Sequence, residues 1–182
     1  GLLVLTAIGG GLILGLQVGG QALAVTAPSG SAPFIVDVLA AGVAAASYPV
    51  YFSMPWRMMG WPVGAGVLAR AAHWYARDAG ASLAIAAFVS CLLVGTLLVP
   101  ISHHMRIPFA GIGFAAVVAL VPGVYVFRTV AGFIDFAGHP SAQLLSSAAA
   151  DLIGATVIVT GMALGLALPM HIYASRLARR NS

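Results

Sequence analysis

ALVPGVYVFRTVAGF, residues 119–133, lies in one of the most apolar parts of the chain. It nevertheless holds a Pro-Gly pair, Pro122-Gly123, and five residues later an arginine, Arg128. A proline inside a helix removes a backbone hydrogen bond and clashes with the preceding turn. An arginine in apolar surroundings is costly unless it is paired or hydrated. The apolar run around the motif, 107–136, is about 30 residues long, more than the ~20 needed to span a bilayer. A break at Pro122-Gly123 divides it into two half-helices, the second starting near Val124. Two readings stand for the motif. In one it is a broken helix whose positive dipole end and free N–H groups face the membrane interior. In the other it is a proline kink satisfied by neighbouring helices.

Composition sets the class of protein. Of 182 residues, 61% are hydrophobic and 7% charged, against about 25% charged in soluble domains. The mean hydropathy is +1.04. A water-soluble fold this short has too little interior to hide so much apolar surface. The expectation is an all-α polytopic membrane protein. The eight basic residues are all Arg and the four acidic ones all Asp. The net charge of +4 needs only the positive-inside rule and no nucleic-acid partner. The single cysteine, Cys91, reads as small packing material in an apolar run.

Breaks at Pro, Gly and charge clusters lay out six apolar segments: 2–26, 33–54, 58–77, 81–102, 107–136 and 142–174. The segment 58–77 is the most polar. If the six alternate in direction, Arg57, Arg106, Arg176, Arg179 and Arg180 share one side, against Arg77 on the other. That bias places both termini in the cytoplasm. Trp56, Trp61, Trp74 and Tyr75 fall near the interfaces, where aromatic belts sit. Small residues recur every four positions at Gly11, Gly15 and Gly19, at Gly60 and Gly64, and at Gly161 and Gly165, as in closely packed membrane helices. Gln17 and Gln21 share a face and suit a hydrogen bond to a neighbouring helix. The chain opens at Gly1 directly in an apolar segment with no basic leader, so the expectation is a fragment or a processed chain.

Four ionisable residues fall inside these segments: Asp37, Arg70, Arg128 and Asp151. Such residues face protein, a partner charge or water, and often mark transport paths. Counted from segment ends, Arg70, Arg128 and Asp151 lie about 10, 12 and 14 Å deep, and Asp37 about 6 Å. This places three charges from three helices in one layer. They either pair to lock the bundle or line a polar site. In the second case a substrate carboxylate meets the backbone at Pro122, Gly123 and Val124 together with Arg128 or Arg70. Tyr125 and Thr129 supply hydroxyls, and Asp151, with Asp37 as second candidate, couples transport to protons. His103 and His104 are adjacent, point apart and have no acidic neighbour, so no metal site is expected. Neither a nucleotide P-loop nor a zinc-protease or G-x-S-x-G motif is present, and no cofactor and no enzyme activity are expected.

The runs DVLAAGVAAASYPVYFSMPWRMMGWPVGAGVLARAAHWY (37–75), FVSCLLVGTLL (88–98) and ALVPGVYVF (119–127), followed by a long Gly-rich last helix, carry a family resemblance. With Pro49 to Pro55, Gly64 and Arg70, Val94-Gly95, Pro122-Gly123 and Pro169 in this order, the chain from about 28 to 182 resembles the C-terminal half of ThrE-type threonine/serine exporters. Small standalone YjjB-like relatives look similar. The resemblance implies a five-helix membrane module at 28–182 that begins outside and ends inside. It also implies export of small amino acids such as threonine and serine, driven by proton antiport in a bacterial inner membrane. Some split relatives imply a dicarboxylate such as succinate instead. Residues 1–27 then resemble the last helix of a preceding half. The partner implied is a second membrane half, fused or separate, or another copy of the chain. Arg70 matches the family pattern, whereas Arg128 and Asp151 rest on the depth argument. A channel-like pore and a non-transporting assembly subunit are the remaining alternatives.

Overall fold

Residues 33–51, 54–105 and 108–180 are described by a computed structural model. The expected first helix at 2–26, its glycine stripe and glutamines, and Arg106 lie outside the described residues. Helix α1 is Phe34–Tyr51, α2 Gly60–Asp78, α3 Leu83–Met105, α4 Phe109–Val117, α5 Gly123–Gly138 and α6 Ala142–Arg180. Short 3₁₀ turns at Trp56–Met58 and Val118–Leu120 precede α2 and α5. No strand occurs among the described residues. Both α3 and α6 are long and apolar enough to cross a membrane, and α4 with α5 qualifies as a third, broken span. The protein is an all-α membrane protein.

The segment expected as one helix at 107–136 is two helices bent by 66°. The broken-helix reading therefore holds over the kink. Sterics dictate this: Pro122 cannot donate to the preceding turn, and the chain leaves the helical region at Val121 (φ −58°, ψ 129°) and Pro122 (φ −78°, ψ 56°). Gly123 N–H then donates to Val121 O at 2.8 Å, and α5 restarts with Pro122 as its N-cap.

Small side chains decide which helices meet. In α2 the buried positions are Pro62, Ala65, Gly66 and Ala69. A methyl on Gly66 would lie 2.6 Å from Ala45 Cβ on α1 and 3.3 Å from Ala116 O on α4. The glycines expected to pack here, Gly60 and Gly64, have nothing within 4 Å. They sit on the opposite face of α2, because a four-residue spacing names a stripe and not the stripe's direction. In α6 the expectation holds. A methyl on Gly165 would lie 2.6 Å from Phe88 O, and one on Gly161 3.1 Å from Ala84 O. Cys91 is fully buried in the same seam, beside Gly165.

These contacts fix registers. Ala84 meets Gly161, Phe88 meets Gly165, and Gly95 meets Pro169, so α3 and α6 run parallel. Gly132 meets Ala148 and Tyr125 meets Gly154, so α5 and the first half of α6 form an antiparallel hairpin. Since Ala84 is in the first turn of α3 and faces Gly161, the first 19 residues of α6 run past the start of α3, by about 28 Å. The α5–α6 hairpin is this overhang, and α5 packs chiefly on α6.

Candidate functional site

Two ion pairs join helix to helix. In the first, Arg70 on α2 grips Asp37 on α1 with two hydrogen bonds. Nε donates to Oδ2 at 2.7 Å and Nη2 to Oδ1 at 2.8 Å. Their side chains are 27% and 21% exposed. The pair sits between the close Gly66–Ala45 contact and an aromatic end formed by Phe34, Trp74 and Tyr75. Two parallel bonds to one carboxylate fix geometry as well as charge.

The second pair lies across the α5–α6 hairpin. Arg128 Nε is 3.1 Å from Asp151 Oδ2. Asp151 is 13% exposed, whereas Arg128 is 42% exposed. One longer contact and a half-open guanidinium leave Arg128 with N–H donors still free for a ligand. Next to Arg128 in sequence, Thr129 is buried and its hydroxyl donates to Tyr125 O at 2.8 Å. The Tyr125 ring lies against Gly154. Tyr125, Arg128, Thr129 and Asp151 are thus brought together in one seam, with Pro122 and Gly123 at its start.

The start of α5 is less open than a free helix end. Tyr125 and Val126 N–H both donate to Pro122 O, at 3.1 and 3.2 Å, and Gly123 N–H is taken by Val121. Three of the first four N–H groups are therefore engaged by the turn itself, and the positive charge of this region rests mainly on Arg128.

The charges expected in a single layer are two separate pairs. Arg70 lies eight residues inside the end of α2, while Asp151 lies ten residues outside the Ala84–Gly161 level. At about 1.5 Å per residue this separates them by roughly 25 Å along the bundle. The reason is the axial shift of α6 against α3, which counting from segment ends does not reveal. The pairing of Asp37 with Arg70, and of Asp151 with Arg128, answers the cost of burying each charge.

Two grooves run along the α3–α6 seam. One is almost wholly apolar, between Ala84, Ile85 and Phe88 on α3 and Val157, Gly161 and Leu164 on α6. Thr156 and Thr160 also line it, and both turn their hydroxyls back to carbonyls of α6. The other, near the far ends of α3 and α6, is an open groove of about 270 Å³ bordered by two prolines, Pro100 and Pro169, and by Thr96, Tyr173 and Arg176. Sequence reading passed over this second groove. Its signal was a proline near the same end of each of two glycine-packed helices.

An all-α membrane bundle with a broken helix and Arg–Asp pairs joining its helices has the form of a transport protein. The sequence model of the family described as Threonine/Serine exporter, ThrE, matches residues 37–172. The chain belongs to this family of membrane transporters. No solved structure matches it.

Proposed function

We propose that the chain is the membrane module of a secondary transporter that exports small hydroxy amino acids in exchange for protons. The observation that carries this reading is the loose Arg128–Asp151 pair beside the helix break, in a chain of the exporter family. A zwitterion presents the same two charges as that pair. Its carboxylate would take the free N–H donors of Arg128 and its ammonium would take Asp151. A proton on Asp151 would exclude the ammonium, so proton and substrate compete for one carboxylate, which is the requirement of antiport. Pro122, Gly123 and Val124 would form the wall at the start of α5. Tyr125 and Thr129 would border the side-chain end. The Arg70–Asp37 pair is the second candidate for the same roles; its two-bond geometry suits a brace better than an exchanging site.

A second membrane half, or another copy of the chain, would cover the overhang. Val124, Val130 and Ile134 on α5 and Ile153 on α6 are each more than half exposed, and apolar surface of this kind needs lipid or protein against it. With the Arg-rich end of α6 inside, the module would sit in a bacterial inner membrane.

The test is transport in proteoliposomes under an imposed pH gradient, with labelled threonine, serine and succinate, using Asp151→Asn. Loss of the pH dependence in a folded variant supports the assignment. Retention of the same pH-dependent flux removes Asp151 from its role. Gradient-driven succinate flux with no amino-acid flux would move the substrate to the dicarboxylate class.

A further inference from the structure

The groove between Pro100 and Pro169 lies far from the Arg128–Asp151 pair and has its own chemistry. Proline supplies no N–H, so each of these residues deprives the carbonyl four positions earlier of its helical donor. Those carbonyls belong to Thr96 on α3 and Gly165 on α6. Thr96 itself lines the groove. The Gly165 carbonyl faces α3, where a methyl on Gly95 would lie 3.3 Å from it. Of the two, the Thr96 carbonyl borders the groove, while the Gly165 carbonyl lies in the helix seam behind it. A carbonyl without its helical donor is a ready acceptor, and broken membrane helices use such oxygens to hold cations.

At the other end of the groove stands Arg176, exposed and without an ion-pair partner among the described residues. Tyr173 lies beside it on α6, its ring 4.9 Å from that of His103. Val99 and Ile172 give apolar wall between the two ends. The space thus offers an acceptor at one end, a cation at the other and a short apolar stretch between. About 270 Å³ is small for a drug-sized ligand and ample for an amino acid.

We propose that this groove is a loading site for a zwitterionic amino acid, separate from the Arg128–Asp151 pair. Arg176 takes the carboxylate, the freed Thr96 carbonyl takes the ammonium, and Val99 and Ile172 take a small side chain. The positive-inside pattern puts the groove at the cytoplasmic end, where an exporter collects its cargo. The assignment of cargo rests on the amino-acid reading given above.

The experiment uses the full chain carrying Ile172→Cys. Cys91 is fully buried, so the introduced thiol is the reactive one. Maleimide labelling is timed with L-threonine, L-serine, N-acetyl-L-threonine or succinate present. Threonine and serine are expected to slow labelling by up to about threefold at twice the dissociation constant. N-acetyl-threonine, which lacks the ammonium, and succinate should not. Adding Arg176→Gln should abolish the protection and Arg176→Lys should keep most of it. Labelling unaffected by either amino acid, or slowed equally by N-acetyl-threonine, overturns the proposal. Adding Arg128→Gln instead separates the two sites. Protection that survives while transport is lost supports both assignments, and loss of protection in this variant overturns the separate groove. Transport unaltered by Arg128→Gln would sink the central pair and leave the labelling result standing by itself.

Discussion

The α1–α2 and α5–α6 hairpins are built alike, yet their ion pairs differ. Each is an antiparallel helix pair closed by small residues, Gly66 on Ala45 in one and Gly132 on Ala148 in the other. Each carries one Arg–Asp pair across its seam. In α1–α2 the guanidinium makes two bonds, and α2 is further held by α3 and α4. In α5–α6 a single contact joins a half-exposed arginine to a well-covered aspartate, and the hairpin overhangs the bundle. The same two residue types therefore make a brace where neighbours surround them and a latch where they do not. Local unfolding and rearrangement come from regions with few packed neighbours.

If the latch binds cargo, Arg128→Gln should lower transport efficiency at least about tenfold, on the order of 1.4 kcal/mol, with little change in melting temperature. The equivalent change in the brace, Arg70→Gln, should do the reverse, lowering the melting temperature in detergent while leaving the pH profile of transport intact. Equal effects of both variants on transport would erase the distinction. Next in size is packing. Gly165→Ala places a methyl 2.6 Å from Phe88 O and 2.8 Å from Cys91 Cβ, so backbone has to shift. A loss of about 1–3 kcal/mol in stability is expected, read by thermal unfolding in detergent. Asp37→Asn should cost about 1–2 kcal/mol, less than a fully buried pair because about a quarter of the Arg70 side chain is exposed. A double-mutant cycle with Arg70→Gln should recover most of that as coupling. Smallest is Gly64→Ala, where nothing lies within 4 Å. It should be neutral or stabilise by up to about 1 kcal/mol through helix propensity. Destabilisation there would mean that this face of α2 meets a partner.

The helices and the break at Pro122 were legible because their causes are local. Apolar run length and a missing N–H act within a few residues of themselves. Membership of the family was legible for the same reason, since Pro and Gly keep their order along the chain. The close-packing role of Gly161 and Gly165 could also be read, whereas the same role expected of Gly60 and Gly64 belongs to Gly66 instead. Spacing fixes a face, and only the neighbours decide whether Gly64 or Gly66 turns inward. The pairing of charges failed in one further respect. Depth counted from segment ends treats all helices as level, but α6 slides past α3 until Gly161 reaches Ala84. That slide is set by Gly161, Gly165 and Pro169 meeting Ala84, Cys91 and Gly95 of α3, contacts some 75 residues apart in sequence, and it carries Asp151 away from Arg70.

Helix α6 is continuous from Ala142 to Arg180 and carries residues of both proposed sites. Asp151 and Arg176 are 25 residues apart, about 38 Å along one rod. Its fulcrum is the glycine seam at 161 and 165, where α3 bears on it most closely. A beam pivoted near its middle turns a small displacement at one end into an opposite displacement at the other. If α6 tilts as one rod about that seam, opening the hairpin latch moves Arg176 across the proline groove, so the two proposed sites are linked by leverage through a single helix.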